Sequence, residues 1–310
     1  MISGIINVYK EKGYTSFDVV AKLRGILKMK KIGHTGTLDP DAEGVLPVCL
    51  GKATKVCGLL TDEDKEYETV MLLGTVTDTQ DITGTVLRRQ EVTVTENEVR
   101  AAVMRFVGPY MQVPPMYSAK KVNGKKLYDL ARQGMTVERS AQQVNIASIE
   151  ILSISLPRVR MRVTCSKGTY IRTLCEDIGQ TLGCGACMES LLRTRVAGFC
   201  LADALAIAQI EERVRKEAGD LPPEEWRTEQ FSFLMRTDAV FPKYQKAMVK
   251  KEAQRLLRNG NPLPSELLLN DGMSWEEELC VYDAAGHFAG IYRFDAKICA
   301  YRPYRFFLEE

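Results

Sequence analysis

The sequence of 310 residues predicts an α+β protein built of two unequal domains. Segments with alternating or continuous apolar residues, typical of strands, are interspersed with segments whose apolar residues recur at helical spacing. Apolar residues make up 45% of the chain, so a packed core is expected. The character of the sequence changes after about residue 240, which predicts a large domain over 1–240 and a small α+β domain over 244–310.

A short strand over 6–10 and a basic helix after it are the first predicted elements. Thr15 or Ser16 has the side chain to cap this helix, and the apolar residues that follow recur at helical spacing. Lysines populate its polar face as far as residue 31. The helix therefore offers a positively charged surface over 22–31.

Four further elements are predicted before residue 109. The apolar run 44–51 predicts a buried strand, and 52–62 predicts a short helix. The alternation over 66–79 predicts another strand. Residues 95–108 predict a helix whose first residues, a threonine and a glutamate three positions later, have the spacing of a capping box.

The second half of the large domain opens with prolines and glycines over 109–140, which predict a long, irregular and basic loop region. Residues 142–165 then predict two strands broken at Pro157. A helix is predicted over 168–183, and a strand over 191–199. A loop of that length is usually functional, so we expect the region 109–140 to have a functional role.

The small domain is predicted to contain a helix and a hairpin. Residues 244–264 carry the charge and the Gly/Asn/Pro stop of a short helix. Residues 279–294 alternate in the manner of two strands around Ala-Ala-Gly.

Charge and cysteine content limit the class of protein. The net charge of +2 does not by itself indicate a nucleic-acid partner, yet residues 157–172 hold five basic residues and no acidic one, so a basic face is predicted. No apolar run reaches the ~18 residues of a membrane span. Nine cysteines without a recognisable signal sequence predict reduced thiols and a cytoplasmic protein.

Several common chemistries lack their residues. The two histidines, at 34 and 287, fall in different predicted domains, and Cys184 and Cys187 form a lone CxxC without a second pair, so no metal site is predicted. Neither a P-loop nor a GxGxxG sequence is present, and no nucleotide cofactor is predicted. We interpret the CxxC as two structural thiols.

The stretch GHTGTLDP over 33–40 contains the most distinctive carboxylate, Asp39. Pro40 restricts the backbone of Asp39, and the nearby glycines permit a tight turn or the close approach of another chain segment. Leu38 and the apolar residues of 45–48 are expected to surround the carboxylate, and a desolvated carboxylate is a good base or nucleophile. Because Asp-Pro also initiates ordinary turns, the residues alone leave both interpretations open and favour the turn.

Five blocks of sequence, in order, resemble the TruB family of pseudouridine synthases. The first is G-H-T-G-T-L-D-P-x-A-x-G-V-L-P, which begins at residue 33. The others are DKEYETVMLLGTVTDTQDITG (64–84), PPMYSAKKVNGKKLYDLARQG (114–134), CSKGTYIRTLCEDIG (165–179) and LLRTRVAGF (191–199). The resemblance implies the pseudouridine-synthase fold, with a central mixed, mostly antiparallel sheet flanked by helices and loops. It also implies a basic RNA-gripping insertion at about 110–140 and a small PUA-like RNA-binding domain over 244–310.

The resemblance assigns a role to single residues. Asp39 stands at the position of the catalytic aspartate, and Arg172 at that of the arginine that pairs with it. Tyr67 matches the tyrosine that stacks on the target base, while Tyr170 and Leu192 match residues that line the pocket around it.

Further residues are expected to contact the RNA. His34 matches the histidine near the flipped nucleotides, and Asp81, which ends the T-D-T-x-D block, is assigned to the substrate pocket. The helix 22–31 and the arm 158–167 are expected to bind phosphate. So is the loop 117–139, by the lysines Lys120, Lys121, Lys125 and Lys126.

The resemblance implies an isomerase that converts uridine 55 of the tRNA T-arm loop to pseudouridine after extruding the base. The reaction needs no cofactor and one carboxylate, which attacks C1′, attacks C6 or removes the C2′ proton. The implied partner is tRNA, without a membrane, an obligate protein partner or a guide RNA, and the protein is expected to be a monomer.

Two other hypotheses remain. A binding module without catalysis would keep the basic segments, although binding alone does not require Asp39 with Tyr67 and Arg172. A relative that works within a guide-RNA particle usually carries a fuller PUA domain and basic tails, whereas this sequence ends in FFLEE.

Overall fold

The computed structural model describes residues 2–122, 124–269 and 277–308, so Asn123 of the basic loop and Glu309 and Glu310 of the acidic end lie outside the described residues. The α-helices are α1 (Ser16–Ile26), α2 (Cys57–Asp62), α3 (Glu96–Met104), α4 (Leu127–Arg132), α5 (Ile171–Thr181), α6 (Ile207–Ala218) and α7 (Gln254–Arg258). The 3₁₀ helices are Gly51–Val56, Leu201–Asp203, Pro223–Glu225, Thr228–Gln230, Thr237–Val240, Lys251–Ala253 and Ser265–Leu267.

The strands are β1 (Gly4–Lys10), β2 (Ile32–His34), β3 (Glu43–Leu50), β4 (Lys65–Leu73), β5 (Thr75–Thr77), β6 (Val86–Arg89), β7 (Gly108–Gln112), β8 (Lys121–Val122), β9 (Lys125–Lys126), β10 (Gln142–Ser155), β11 (Arg158–Cys165), β12 (Ala186–Val196), β13 (Phe199–Cys200), β14 (Gln245–Val249), β15 (Leu263–Pro264), β16 (Leu268–Leu269), β17 (Glu278–Tyr282), β18 (Phe288–Asp295) and β19 (Ala300–Phe306).

A nine-stranded sheet lies within residues 4–200, in the order β1-β3-β12-β4-β11-β10-β7, with β2 beside β3 and β13 beside β12. The pairing is antiparallel except between β3 and β12, which run parallel. The prediction of an α+β protein with a mixed, mostly antiparallel central sheet is therefore confirmed. The parallel pair places the segment after Asp39 directly against β12.

The sheet is covered by two apolar clusters. One packs β4, β10 and β11 against α3 and α5, and includes Tyr67, Met71 and Leu174. The other packs β1 and β3 against α1 and α6 and includes Leu23, Leu46 and Val48. Each cluster buries apolar residues that repeat at strand spacing on one side and helical spacing on the other, and this burial is the main stabilisation of the fold.

The helix α1 begins as predicted and ends early. Thr15 is its N-cap, and Thr15 and Asp18 form a reciprocal capping box. The helix ends at Ile26, and Lys28 adopts the left-handed region with φ of 51°. A helix cannot continue through that conformation, so the expected basic helix over 22–31 is wrong in its second half.

The region 109–140 is more ordered than the prediction of an irregular loop. Strand β7 joins the edge of the sheet, β8 and β9 form a two-stranded hairpin, and α4 follows. Leu127 and Leu130 of α4 are buried, and the Leu127 amide donates to the Lys120 carbonyl at 2.8 Å, which ties the helix to the start of the hairpin. The β8–β9 hairpin and α4 are too short to produce a recognisable periodicity of apolar residues, so the sequence did not predict them.

A second sheet, in the order β15-β19-β18-β17-β14-β16, lies within residues 245–306. The predicted hairpin over 279–294 is present as β17 and β18. The prediction of one helix over 244–264 is partly wrong, because residues 245–249 form β14 and the helix α7 begins only at Gln254. Ala247 and Val249 point into the apolar core of this sheet, an alternation that the dense lysines around them hid.

Across the described ranges, no helix is both long and apolar enough to cross a membrane. An apolar cluster joins the two sheets, since Ile5 and Val45 of the first pack with Phe241, Tyr282 and Ile291.

Candidate active site

The loop that carries Asp39 is fixed by hydrogen bonds on both sides of the residue. The Leu38 amide donates to the Ser16 hydroxyl oxygen at 2.9 Å, and the Ala42 amide donates to the Asp39 carbonyl at 3.1 Å. The Pro40 carbonyl accepts from the Gly13 amide at 2.9 Å. The backbone of the loop is thereby set by the segment 13–16, which lies next to it.

Lys10 adds a buried cation to this anchor, and sequence reasoning did not find it. Its Nζ donates to the carbonyl oxygens of Tyr14 (2.6 Å), Pro40 (3.1 Å) and Glu11 (3.2 Å). Burial lowers the pKa of Lys10 to about 8, and the charge of Asp39 opposes that shift. A lysine at the end of a strand normally faces solvent, so only the path of the neighbouring backbone reveals this role.

Asp39 and Arg172 form an ion pair across the site. Arg172 Nε lies 3.0 Å from Asp39 Oδ2, and a second guanidinium nitrogen lies 3.4 Å from Oδ1. The Arg172 side chain is 6% exposed and the Asp39 side chain 40%. The carboxylate of Asp39 is therefore partly accessible to a ligand, whereas the guanidinium of Arg172 is buried.

Arg172 is held in place by three other acceptors. It lies 3.5 Å from an oxygen of Asp81, and it donates to the carbonyls of Thr79 at 3.0 Å and Tyr117 at 2.7 Å. Asp81 is itself fixed, because the Thr83 amide donates to its carboxylate at 3.0 Å. The structure therefore places Asp81, predicted for the substrate pocket, beneath Arg172 with a side chain that is 14% exposed.

Desolvation raises the pKa of Asp39 above its usual value even though the side chain keeps an exposed fraction. Arg172 is the largest opposing influence, and the negative charge of Asp81 adds to the rise. A carboxylate of this kind binds protons more readily than a surface aspartate, so it suits proton abstraction better.

Tyr67 lies on β4 and is 9% exposed. Burial raises its pKa, partly offset by the guanidinium of Arg193 beside the hydroxyl, so the phenol is neutral near pH 7. Arg193 is buried on β12 and donates from Nε to the Val45 carbonyl at 2.7 Å. Arg193 is a second residue that the sequence did not single out, because an arginine in a strand predicts an exposed side chain.

Gly44 permits the contact between β3 and β12. It is paired with Arg193, and its φ of 109° lies in the region that favours glycine. A side-chain carbon at this position would lie 2.2 Å from the Arg193 carbonyl oxygen. The close approach expected for the glycines of this stretch therefore occurs at Gly44.

The apolar surroundings of Asp39 differ from the expectation. Leu38 packs in the same cluster as Tyr67 and Ile171. Leu46 and Val48 pack against α1 and α6, whereas Val45 packs into the cluster that joins the two sheets, because neighbouring residues on a strand point to opposite faces. Of those residues, only Leu38 contributes to the cluster around Tyr67.

The remaining predicted pocket residues, Tyr170, Leu192 and His34, lie on three different segments of the chain. Tyr170 occupies the position just before α5, and Gln112 holds its backbone by accepting from the amide at 2.8 Å and donating to the carbonyl at 3.0 Å. Leu192, half-buried, precedes Arg193 on β12. His34 Nδ1 lies 3.1 Å from the Gly36 carbonyl, and burial lowers its pKa, which favours a neutral ring.

The predicted phosphate-binding lysines differ in their surroundings. Lys121 and Lys125 are exposed on the β8–β9 hairpin. Lys120 donates to Gln142 at 2.8 Å, and Lys126 donates to the Tyr128 hydroxyl at 3.1 Å.

The basic arm 158–167 is largely occupied by ion pairs, which the sequence did not indicate. Arg158 pairs with Glu189, Arg160 with Glu68, and Arg162 with both Glu68 and Glu150, at 2.6–2.8 Å. Carboxylates from the neighbouring strands β4, β10 and β12 thus reduce the positive charge of this face.

Within the part of the chain that the structure describes, no group of three or more His, Cys, Asp or Glu side chains comes together to hold a metal. Cys184 and Cys187 are both buried, and burial raises the pKa of the Cys187 thiol to about 11. Their surroundings are those of structural core residues.

Comparison with known proteins gives a consistent match. The family model described as TruB family pseudouridylate synthase (N terminal domain) matches residues 24–171, and the one described as tRNA pseudouridylate synthase B C-terminal domain matches 172–225. A protein named tRNA pseudouridine synthase B from Lachnoclostridium phytofermentans is 52% identical, over 99% of this chain and 100% of its own length. A protein of the same name from Alkaliphilus oremlandii is 45% identical over 91% of this chain and 90% of its own length.

Solved structures share the fold. A chain in a crystal structure of a Cbf5-Nop10-Gar1 complex is 26% identical, with a TM-score of 0.72, covering 98% of this chain and 85% of its own. A chain in an H/ACA RNP bound to a substrate RNA containing 2′-deoxyuridine is 24% identical, with a TM-score of 0.71, covering 99% and 85%. The pseudouridine-synthase fold is therefore confirmed.

Proposed function

Because the chain belongs to the TruB family of pseudouridylate synthases, we propose that it isomerises a uridine of tRNA, position 55 in the T-arm loop, to pseudouridine. The observation that carries the proposal is the contact of 3.0 Å between Asp39 and Arg172, residues that stand in two of the sequence blocks typical of the family. The curated relatives that share up to 52% of the sequence are named for this activity on tRNA.

The reaction breaks the bond between C1′ and N1 of the uridine, rotates the uracil and forms a bond from C1′ to C5. The proton on C5 is lost and N1 gains one, so the product has the same composition as the substrate. Asp39 is the group that starts the cleavage, by attack at C1′ or C6 or by removal of the C2′ proton. All three routes require the ionised carboxylate, and Arg172 favours that form where burial opposes it.

The detached uracil must be retained while it rotates. Tyr67, with Tyr170 and Leu192, would enclose the base by stacking and apolar contact. The neutral phenol of Tyr67 suits this role because a buried phenolate would repel both Asp39 and the sugar phosphates. A neutral hydroxyl also donates a hydrogen bond, which gives Tyr67 a means to deliver or orient a proton.

RNA has to be held while the base is extruded. RNA-modifying enzymes unstack the target nucleotide before they act on it, and loop nucleotides are unstacked most readily. In this role Lys121 and Lys125 would bind phosphates of the T-arm from the exposed hairpin, and His34 would lie near the flipped nucleotides. Residues 244–310 would bind RNA as a PUA-like domain.

We propose that the protein acts as a monomer in the cytoplasm, without a guide RNA or an obligate protein partner. Support comes from the relatives named tRNA pseudouridine synthase B, which are more similar in sequence than the chains of the H/ACA RNP and the Cbf5-Nop10-Gar1 complex. The alternative of an enzyme that depends on a guide RNA is favoured only by the shared fold.

The test is a pseudouridine assay on an unmodified T-arm hairpin with no guide RNA and no added metal. The full chain should modify the loop uridine, and Asp39→Asn should lose activity while keeping its affinity for the hairpin. Asp41→Asn is the matched control, because Asp41 is an exposed neighbour whose nearest cation, Lys12, lies 4.0 Å away. Substantial activity in Asp39→Asn would contradict the mechanism, and binding without modification by the full chain would favour the binding-module hypothesis.

A further inference from the structure

The side chain of Gln80 ties the loop around Arg172 to the helix that carries Arg172. Its Oε1 accepts from the Thr173 hydroxyl at 2.8 Å, and its Nε2 donates to the Glu176 carboxylate. Thr173 follows Arg172 directly, and Glu176 lies one helical turn further along α5. One amide group therefore bridges the first turn of α5, where Arg172 is located.

The residues on both sides of Gln80 supply partners of Arg172, Thr79 through its backbone and Asp81 through its side chain. The Thr79 carbonyl accepts from Arg172 at 3.0 Å, and Asp81 lies 3.5 Å from its guanidinium. Gln80 has a φ of 66°, which is left-handed and unfavourable for a residue with a side chain. This conformation lies between two groups that must both face Arg172, and the side-chain amide is well placed to maintain it.

The loop has separate support from β12. Met188 donates to the Gln80 carbonyl at 3.0 Å, and the Ile82 amide donates to the Met188 carbonyl at 2.9 Å. These bonds attach the loop to the sheet and do not involve α5. Loss of the Gln80 side chain should therefore leave the loop folded on the sheet while removing a tie to the helix.

We propose that Gln80 and Glu176 are positioning residues that hold Arg172 in register with Asp39. Neither is expected to contact the RNA. The part of this inference that concerns activity depends on the proposed function, whereas the placement of Arg172 is measurable in the free protein.

The first test is Gln80→Gly, because glycine accepts the φ of 66° without strain and lacks the side chain that carries the amide. Single-turnover formation of pseudouridine at saturating hairpin should fall about 10- to 100-fold, since small displacements of catalytic groups have effects of that size. Affinity for the hairpin should change less than about twofold. A rate equal to that of the unmodified protein would overturn the proposal.

Gln90→Ala is the matched control. Gln80 lies in the loop between β5 and β6, and Gln90 directly follows β6. The side-chain amide of Gln90 donates at 3.1 Å to the carbonyl of Gly183, which lies beyond the C-terminal end of α5. It thus makes a similar tie that does not reach Arg172. The single-turnover rate of Gln90→Ala should match that of the unmodified protein. An equal loss of rate in Gln90→Ala and Gln80→Gly would show a general effect of the β5–β6 segment and refute the specific role of Gln80.

The partner residue offers a conservative rescue. Glu176→Ala should slow the reaction as Gln80→Gly does, whereas Glu176→Gln keeps an oxygen that accepts from Gln80 and should remain near full activity. Full activity of Glu176→Ala would contradict the proposal even if Gln80→Gly failed to fold.

A measurement without RNA separates this inference from the proposed function. The pKa of the Asp39 carboxyl group, followed by carbon-13 NMR in the free protein, depends on Arg172, Asp81, Lys10 and Asp41, the charged groups that act on it. Looser placement of Arg172 should raise that pKa in Gln80→Gly and leave it unchanged in Gln90→Ala. An unchanged pKa of Asp39 in both variants would overturn the positioning role. If the unmodified protein were inactive on the T-arm RNA while Gln80→Gly still raised this pKa, only the proposed function would be refuted.

Discussion

The two buried arginines of the site, Arg172 and Arg193, have opposite surroundings. Arg172 lies against two carboxylates and two carbonyls. Arg193 has the Val45 carbonyl and the Tyr67 hydroxyl, and within the described structure one of its terminal nitrogens is buried without a hydrogen-bond partner. Burial lowers the pKa of Arg193. The difference indicates that Arg172 adjusts the charge of Asp39, whereas Arg193 orients a neutral tyrosine at an energetic cost.

The largest expected effect is that of Arg172→Met. Its removal leaves Asp39 and Asp81 without their shared cation, so the pKa of Asp39 should rise further and its orientation should be lost. Single-turnover activity at pH 7 should fall on the order of 10³-fold, as for loss of one preorganised electrostatic group, with the loss greatest at low pH. An Arg172→Met variant with unchanged activity at all pH values would remove the contrast between the two arginines.

The next effect concerns the backbone beside Arg193. Gly44→Ala would place a methyl group 2.2 Å from the Arg193 carbonyl at a φ of 109°, so β3 and β12 would have to separate. The free energy of unfolding should fall by about 3 kcal/mol or more, as measured by chemical denaturation. Gly58→Ala is a suitable control, because no heavy atom lies within 4 Å of its added carbon. An unchanged free energy of unfolding in Gly44→Ala would show that β3 and β12 accommodate an added methyl group, contrary to their close approach in the structure.

A smaller effect is expected on the pH dependence of stability. The folded-state pKa of Asp39 is raised, so the folded protein binds the proton more tightly than the unfolded chain does. Ionised Asp39 therefore destabilises the fold at pH values above its folded-state pKa, and this cost diminishes as the pH falls from that value and is absent below the pKa of the unfolded chain. Asp39→Asn should accordingly raise the melting temperature at pH 7 and lose this advantage in acid. A lower melting temperature of the variant at pH 7 would contradict the sign.

The smallest change in stability is expected for Arg193→Met. Methionine removes an incompletely paired buried charge and keeps most of the apolar volume, and such replacements are often neutral. The free energy of unfolding should change by less than about 1 kcal/mol, whereas catalysis should slow because Tyr67 loses its polar neighbour. A loss of about 3 kcal/mol or more, as for removal of one partner of a well-paired buried charge, would show that Arg193 has a structural role like that of a fully paired arginine.

The sequence predicted the elements whose signal is local. Thr15 and Thr95 begin helices with reciprocal caps because the residues that form each cap lie three positions apart. Asp39 and Arg172 were paired only through the family resemblance, and the structure brings them into contact. No local pattern connects residues separated by 133 positions.

Lys10 and Arg193 escaped prediction for a physical reason. A long charged side chain at a strand position is normally solvated, so its burial depends on distant carbonyls such as Pro40 for the lysine and Val45 for the arginine. The strand β14 escaped for the opposite reason, since flanking lysines concealed its short alternation. The residues that support the site were therefore harder to predict than those that form it.

The site is assembled from segments that the ribosome makes at widely different times. Arg172 gains its partners from residues 133, 93 and 55 positions earlier in the chain, Asp39, Thr79 and Tyr117. At about 5–20 residues per second, the carboxylate exists for roughly 7 to 27 seconds before its arginine is synthesised. Through that interval a nascent chain has Asp39 without the cation that supports its ionised form, so the ion pair of Asp39 and Arg172 is completed only after more than half of the chain has been synthesised.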